Sequence, residues 1–243
     1  MLKSFDAPLN VLIIGANGGL GSAFCEVLRG QPEIAELVTM ARSDAKGAVD
    51  ILCNITDEAA LQNAAHRLEA HGPFHLIINA TGLLHDRAHG LAPEKSLAQI
   101  DATAMARVLQ VNTIGPALVC KYLVPLLAKQ GKAVMAHLSA RVGSISDNQL
   151  GGWYSYRAAK AAQNMIVKTA ALETARRYKN KLIIGLHPGT VATDLSAPFQ
   201  SGVAPEKLFT AEQSASYLLQ VIDTLTAQDS GYVLAFDGQR VPA

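Results

Sequence analysis

V-L-I-I-G-A-N-G-G-L-G, from Val11 to Gly21, is four apolar residues running straight into four glycines within seven positions. A short run of apolar, mostly β-branched residues predicts a buried strand, and glycine at 15, 18, 19 and 21 predicts a turn whose backbone packs closely. Bare backbone at such a turn lets main-chain N–H groups approach a phosphate. The helix expected to begin near Leu20 points its positive end at the same place. The stretch therefore predicts a strand, a phosphate-binding turn and a helix, the opening of a doubly wound α/β sheet. Its spacing, Gly15-x-x-x-Gly19-x-Gly21, differs from G-x-G-x-x-G, and a glycine-rich strand-to-helix turn that binds nothing has the same local appearance.

Outward from this turn, strands and helices alternate. L-G-S-A-F-C-E-V-L-R-G has helical periodicity and stops at Gly30, and E-L-V-T-M-A-R follows as a second strand. In a dinucleotide fold the tip of that strand, roughly twenty residues past the glycine turn, meets the adenosine ribose. Ala41 and Arg42 stand there. An acidic residue would accept from the 2′-hydroxyl of NAD, whereas a small residue followed by arginine leaves space and positive charge for a 2′-phosphate. NADP(H) is thus the expected cofactor, with NAD(H) possible. D-I-L-C-N-I-T-D-E predicts a third strand running into a helix capped by Thr56 or Asp57, with Asn54 beside the adenine edge. H-L-I-I-N-A-T-G is another strand, ending in Asn79 and Gly82 at the carboxyl edge where open parallel sheets place ligand contacts.

Beyond it lies a polar loop with His85, Asp86 and His89, which lack a third strong ligand at convincing spacing, so no metal site is expected. Ile100 to Lys129 is a long helical pattern with Asn112 as its odd polar residue and a kink expected at Gly115-Pro116. K-A-V-M-A-H-L-S-A predicts a fifth strand, opening into the glycine-bounded loop R-V-G-S-I-S-D-N-Q-L-G-G-W. A helix starting near Tyr154 carries Tyr156 and Lys160. N-K-L-I-I-G-L-H predicts a sixth strand broken at Pro188-Gly189, and a helix over 210–225 and a last strand, G-Y-V-L-A-F-D-G, complete the alternation. No composition shift marks a boundary, so residues 1–243 read as one domain, a dinucleotide half to about 130 and a catalytic and substrate half beyond.

The 243 residues carry 21 basic and 20 acidic side chains, a net charge of +1 that gives no footprint for nucleic acid and points to a small-molecule partner. The N-terminal M-L-K-S-F-D-A-P-L-N places Asp and Pro where a signal peptide has its apolar centre, and no run has the length of a membrane span, so a cytoplasmic protein is expected. Cys25, Cys53 and Cys120 are odd in number and sit in apolar settings, which suits buried thiols.

Tyr156 and Lys160 are four residues apart and share one helix face, where a phenol beside an ammonium is an acid/base device. Bringing a phenol from ~10 to about 7 needs roughly 4 kcal/mol of preference for its anion. One unit charge at about 4 Å supplies on the order of 4 kcal/mol at an effective dielectric of 20. The pair follows a strand that ends near Ser139, on the edge where the glycine turn also opens, so hydride donor and proton donor can flank one carbonyl.

Over essentially its whole length the chain resembles the short-chain dehydrogenases/reductases. Their T-G-x-x-x-G-x-G looks like Ile14 to Gly21, with Ile14 in place of Thr; N-N-A-G resembles Asn79-Ala80-Thr81-Gly82; and Y-x-x-x-K matches Tyr156 and Lys160. S-A-R-V-G-S-I-S-D-N-Q-L-G-G-W-Y-S-Y-R-A-A-K and F-D-G-Q-R-V-P are similar to the branch holding C-factor proteins and sniffer-type carbonyl reductases. The resemblance implies a Rossmann-type parallel sheet of about seven strands with helices on both faces, and NADPH-dependent reduction of an aldehyde or ketone with Tyr156 as proton donor. It implies that Lys160 holds the nicotinamide ribose and lowers the phenol's pKa, that Asn112 positions Lys160 through a water, and that a serine binds the carbonyl oxygen. The family register for that serine falls on Ala140; Ser139 is the expected substitute and Ser144 the alternative. Cofactor contacts are implied at Gly15, Asn17, Gly18, Gly19, Leu20 and Gly21; at Arg42, Asn54 and Ile55; at Asn79, Ala80 and Gly82; at Tyr156 and Lys160; and at Pro188, Gly189, Val191 and Thr193. Trp153, Leu83, Leu84 and Phe199 can line an apolar pocket. A homodimer or homotetramer through the helices of Asn112 and Tyr156 is implied. The other reading is a cofactor-binding, C-factor-like signalling or sensor protein with little turnover; a nucleotide-sugar epimerase ranks last because the short tail leaves little room for a large substrate domain.

Overall fold

In the computed structural model, which describes residues 1–6, 8–44 and 47–243, the apolar run over Leu9–Ile14 forms β1. It has β2 (Ile34–Ala41) on one side and β4 (Leu76–Asn79) on the other, both parallel. With β3 (Ile51–Leu52), β5 (Ala133–Leu138), β6 (Lys181–His187) and β9 (Val233–Ala235), the described residues make a seven-stranded sheet of order β3-β2-β1-β4-β5-β6-β9, parallel throughout.

Strand periodicity explains the two covered faces. Val11, Ile13, Leu76, Ile78, Val134 and Ala136 point to one side, where they meet Phe24 and Leu28 of α1 (Gly19–Leu28) and Leu218, Leu219 and Ile222 of α6 (Ala211–Thr224). Leu12, Ile14, Ile77 and Met135 point to the other, against Leu61 of α2 (Glu58–Leu68), Val119 and Leu123 of α4 (Gly115–Leu123) and Val167 of α5 (Tyr154–Ala175). Each such buried aliphatic side chain contributes about 1.5–3 kcal/mol, which is why the central strands are apolar on both faces. No helix among the described residues is long and apolar enough to cross a membrane.

Local chemistry settles two points that the sequence left open. Asp57, not Thr56, caps α2, its carboxylate accepting from the Ala60 N–H at 3.0 Å, while Asn54 Oδ1 takes the Thr56 N–H and hydroxyl in a tight turn. The kink expected at Gly115-Pro116 begins earlier. α3 (Ala102–Leu109) passes into a π-helical turn at Gln110–Ile114, where the Gly115 N–H reaches back to the Gln110 carbonyl before α4 resumes. Proline at 116 cannot donate to the carbonyl of Asn112, so the wider turn meets no competing α-helical bond there. A small second sheet, β7 (Thr190–Val191) beside β8 (Leu208–Phe209), had no signal in the sequence.

Candidate active site

Glycine geometry brings the expected cofactor segments to one edge of the sheet. Gly15 has φ +82°, and a Cβ there would touch Ala80 and Thr81 at 3.1 Å; a Cβ on Gly21 would lie 2.0 Å from the Gly15 carbonyl oxygen. Gly19, the first residue of α1, sits against Thr193, whose Cγ2 would be 2.5 Å from an added methyl. Gly82 faces Asn112 Oδ1 and Leu195 at 3.5 and 3.7 Å. The glycine turn, the end of β4, the π-helical turn and the segment after β6 therefore meet. The N–H groups of Gly19, Leu20 and Gly21 open α1 and have no carbonyl one turn back within it, the arrangement that receives an anion.

Around this edge, the other expected contacts fall in different places. Ala41 ends β2 buried and Arg42 follows it exposed, at the strand tip as expected, while the Asn17 amide is tied to the Ser43 carbonyl. Ile55 turns its side chain inward to pack on Gly115, so only its backbone faces the edge. Gly189, at φ +77°, presses against Phe209, Pro188 is held through its carbonyl by the Ser214 hydroxyl at 2.8 Å, and Val191 is buried in β7. Asn79 and Asn112 are spent on the protein itself. Asn79 Oδ1 accepts from the Thr81 N–H and hydroxyl, and its amide faces His137 Nδ1 across the β4–β5 pair at 3.2 Å. Asn112 is fully buried; its amide donates to the carbonyls of Leu83 (2.7 Å) and Val108 (3.0 Å), and its Oδ1 accepts from the Leu83 N–H. Both asparagines thus brace the turn from Asn79 to Leu83, and Asn112 makes no direct hydrogen bond to Lys160 among the described residues.

Tyr156 and Lys160 lie on the buried face of α5, with the ammonium 5.7 Å from the centre of the phenol ring. Lys160 Nζ donates to the Leu138 carbonyl at the end of β5 and to Gln163 Oε1, both at 2.8 Å, and the Gln163 amide donates to the same carbonyl at 3.1 Å. Gly143 allows this approach, since a Cβ there would come within 2.8 Å of Lys160 Cβ. Sequence reasoning missed Gln163 and Gly143, although a polar residue one turn beyond Lys160 on an otherwise apolar face was a usable signal. Burial pushes the Tyr156 hydroxyl above the ordinary phenol range and Lys160 down to about 7, because both groups are desolvated. The site as it stands keeps the phenol's proton on.

The two serines separate. Although β5 ends at Leu138, the Ser139 N–H still bonds the Leu186 carbonyl at 2.7 Å and its side chain keeps the strand's alternation, on the α5 side of the sheet; its hydroxyl donates to Asn164 Oδ1 at 2.6 Å, one turn past Lys160 on the same helix. Ser144 is occupied in its own loop, accepting from the Asp147 N–H at 3.1 Å and donating to the Ala243 carbonyl at 3.4 Å. Leu83, Leu84, Trp153 and Phe199 do gather with Tyr156: the Trp153 ring is 6.3 Å from Tyr156 and 4.8 Å from Phe199. In the loop before them, Asp86 is engaged by Arg107 at 2.7 Å and His89 at 2.8 Å, while His85 bonds the Asp194 carbonyl at 3.0 Å.

Comparison with known proteins adds to this geometry. The model of the short chain dehydrogenase family matches residues 9–204. A 1-hydroxy-2-glutathionyl-2-methyl-3-butene dehydrogenase of Rhodococcus sp. (strain AD45) is 30% identical over 232 residues, 94% of this chain and 96% of that protein. The C-signal protein of Myxococcus xanthus is 34% identical over 171 residues, 70% of this chain and 93% of that one. Among solved structures, an NADPH-bound carbonyl reductase from chicken fatty liver superposes with a TM-score of 0.83 at 24% identity, covering 99% of this chain and 96% of the other.

Proposed function

The chain belongs to the short chain dehydrogenase family, and from that premise we propose that it uses NADP(H) to reduce an aldehyde or ketone to an alcohol. The observation that carries this reading is the pair on α5: a buried phenol one helical turn from a buried lysine, the ammonium 5.7 Å from the ring centre and held by the Leu138 carbonyl, at the edge where the glycine turn opens. The residues fit the dinucleotide. Glycine at 15 and 21 lets the turn close on itself and on Ala80 and Thr81, where a Cβ would collide, and leaves Gly18 and Gly19 exposed at the edge; the first-turn N–H groups of α1 would take the pyrophosphate, and Arg42 beside Ala41 would take a 2′-phosphate. Pro188 to Thr193, touching Gly19, would hold the nicotinamide end. When bound, the reduced nicotinamide would supply the hydride. The likeness to the NADPH-bound chicken enzyme supports this choice of cofactor.

In this mechanism the Tyr156 hydroxyl gives its proton to the carbonyl oxygen as that oxygen gains charge, and the phenolate left behind draws a proton back from solvent or from Lys160. Lys160, which burial holds below the ordinary lysine range, can carry that proton. Ser139 supplies a hydroxyl at the end of β5, and Leu83, Leu84, Trp153 and Phe199 exclude water from the substrate side. A signalling role with little turnover is the second reading, favoured by the likeness to C-signal. One experiment separates them: NADPH oxidation followed by absorbance against a panel of aldehydes, ketones and diketones. Saturable turnover of a panel member supports the reductase; NADPH binding without turnover of any member supports the signalling protein.

A further inference from the structure

α5 begins without a cap of its own. Trp153 occupies the N-cap position at φ +52° and offers no side-chain hydrogen bond, and it is the one non-glycine residue with positive φ among the described residues. Gly151 and Gly152 precede it at φ +64° and +66°, so three successive residues are left-handed before the helix starts. For a bulky side chain this conformation persists only when its surroundings over-determine it. What over-determines it is Glu94, 61 positions earlier than Ser155, in the loop between β4 and α3. Glu94 is buried, 5% exposed; its backbone carbonyl accepts the Trp153 N–H at 2.5 Å, and its carboxylate accepts both the Ser155 N–H, at 3.2 Å, and the Ser155 hydroxyl. From the other side Arg157 donates to the Gly152 and Gly151 carbonyls at 3.0 and 3.3 Å.

We propose that Glu94 is a positioning residue for the reductase: by holding Trp153 to Ser155 it sets the Tyr156 hydroxyl relative to Lys160 and turns the Trp153 ring onto the substrate side. Tyr156 is only the third residue of α5, in the turn that frays first when a cap is lost. Lys160, one turn deeper, is anchored independently by Leu138 and Gln163. Loss of Glu94 therefore moves the proton donor and leaves the lysine in place. A side chain in the first turn that drifts by an ångström costs a reaction up to about a hundredfold.

This inference rests on the reductase reading, and the chain provides a readout independent of turnover, because Trp153 is its only tryptophan. Glu94→Ala, Glu94→Gln and Ser155→Ala are compared with the parent by tryptophan emission, by acrylamide quenching, and by kcat and KM for a carbonyl that the parent reduces. In Glu94→Ala the emission shifts to the red, quenching rises, and kcat falls roughly ten- to a hundredfold with a much smaller change in the KM for NADPH. Glu94→Gln, whose amide oxygen still accepts the Ser155 N–H, recovers most of both signals. Ser155→Ala, which deletes one hydroxyl, shows a smaller change of the same sign and stands in for Glu94→Ala should that variant not fold. Unchanged emission and quenching in the variants overturn the proposal, and so does altered emission with unchanged kcat, which leaves Glu94 a purely structural cap. If the parent reduces nothing in the panel, the reductase reading fails, and with it the kinetic role; the emission arm still shows whether Glu94 holds the turn.

Discussion

Gly19→Ala tests whether the glycine turn and the segment after β6 act as one clamp on the cofactor. An alanine methyl would stand 2.5 Å from Thr193 Cγ2 and 2.9 Å from Thr193 Cβ. Ordinary carbon contacts are about 3.5–4.0 Å, so the Thr193 methyl has to move by about 1 Å. In stability the change costs up to about 2 kcal/mol net: overpacking costs about 1–3 kcal/mol, and replacing glycine at the start of α1 returns up to about 1 kcal/mol. Affinity is where the loss appears, because Thr193 lies in the segment that would hold the nicotinamide. NADPH binding, followed by its fluorescence, should weaken roughly tenfold, which is about 1.4 kcal/mol. Thr193→Ser removes the clashing methyl and keeps the hydroxyl, so the double variant Gly19→Ala/Thr193→Ser should regain most of the affinity, with a coupling energy of about 1 kcal/mol. Full affinity in Gly19→Ala, or a double variant as weak as the single one, would refute the reasoning.

Four other outcomes are expected. Tyr156→Phe keeps the ring and removes the acid, so carbonyl reduction should fall by roughly 10² or more while NADPH still binds; turnover near the parent's would rule out the phenol as proton donor. Ser139→Ala should damage kcat more than Ser144→Ala on the same substrate, since Ser139 stands beside Asn164 on the Lys160 face and Ser144 is engaged in its loop; the reverse order would transfer the role to Ser144. Arg42→Ala should raise the KM for NADPH with little effect on NADH, and equal kcat/KM for the two cofactors in the parent would contradict the reading of Ala41 and Arg42. Acid should destabilise the fold through His137, which burial and the nearby Lys160 hold down at about 3 from an ordinary 6.5. The unfolded chain binds this proton below 6.5 and the folded chain does not, so stability is fully present above 6.5 and drains as pH falls towards 3. At pH 5 the loss is about 2 kcal/mol, or a Tm lower by about 4–8 °C for a domain of this size. His137→Gln cannot take up that proton and should lose correspondingly less Tm between pH 7 and 5; equal losses in both proteins would exclude His137 as the cause.

Much of the sheet was legible because its signals are local. β1, the glycine turn and α1 lie within twenty consecutive residues, and the four-residue spacing of Tyr156 and Lys160 needs only a helix to bring them onto one face. What could not be read depends on distant partners. His137 pairs with Asn79 only because β4 and β5 are in register, and Glu94 reaches Ser155 only after the sheet has closed. The anchoring of Lys160 by Leu138 and Gln163, and the desolvation of the whole pair, likewise depend on β5 lying under α5. The kink near Pro116 was visible as a missing donor, but its resolution as an i to i−5 bond depends on Asn112 being drawn to Leu83, and on Ile55 filling the space that a side chain at Gly115 would need.

That π-helical turn also constrains the length of the chain. Each residue of an α-helix advances the screw by about 100° and 1.5 Å, so one surplus residue within a turn offsets everything after it by that amount. α3 directs Val108 towards the pocket cluster around Tyr156, and α4 directs Val119, Cys120 and Leu123 into the layer behind the sheet. The surplus residue at Gln110–Ile114 brings the two halves of this rod into phase with two different neighbours. Removing one residue there would restore a regular helix and put one half out of phase, whereas exchanging the exposed Ile114 for another side chain leaves the phase intact. The segment therefore tolerates changes of letter far better than changes of count.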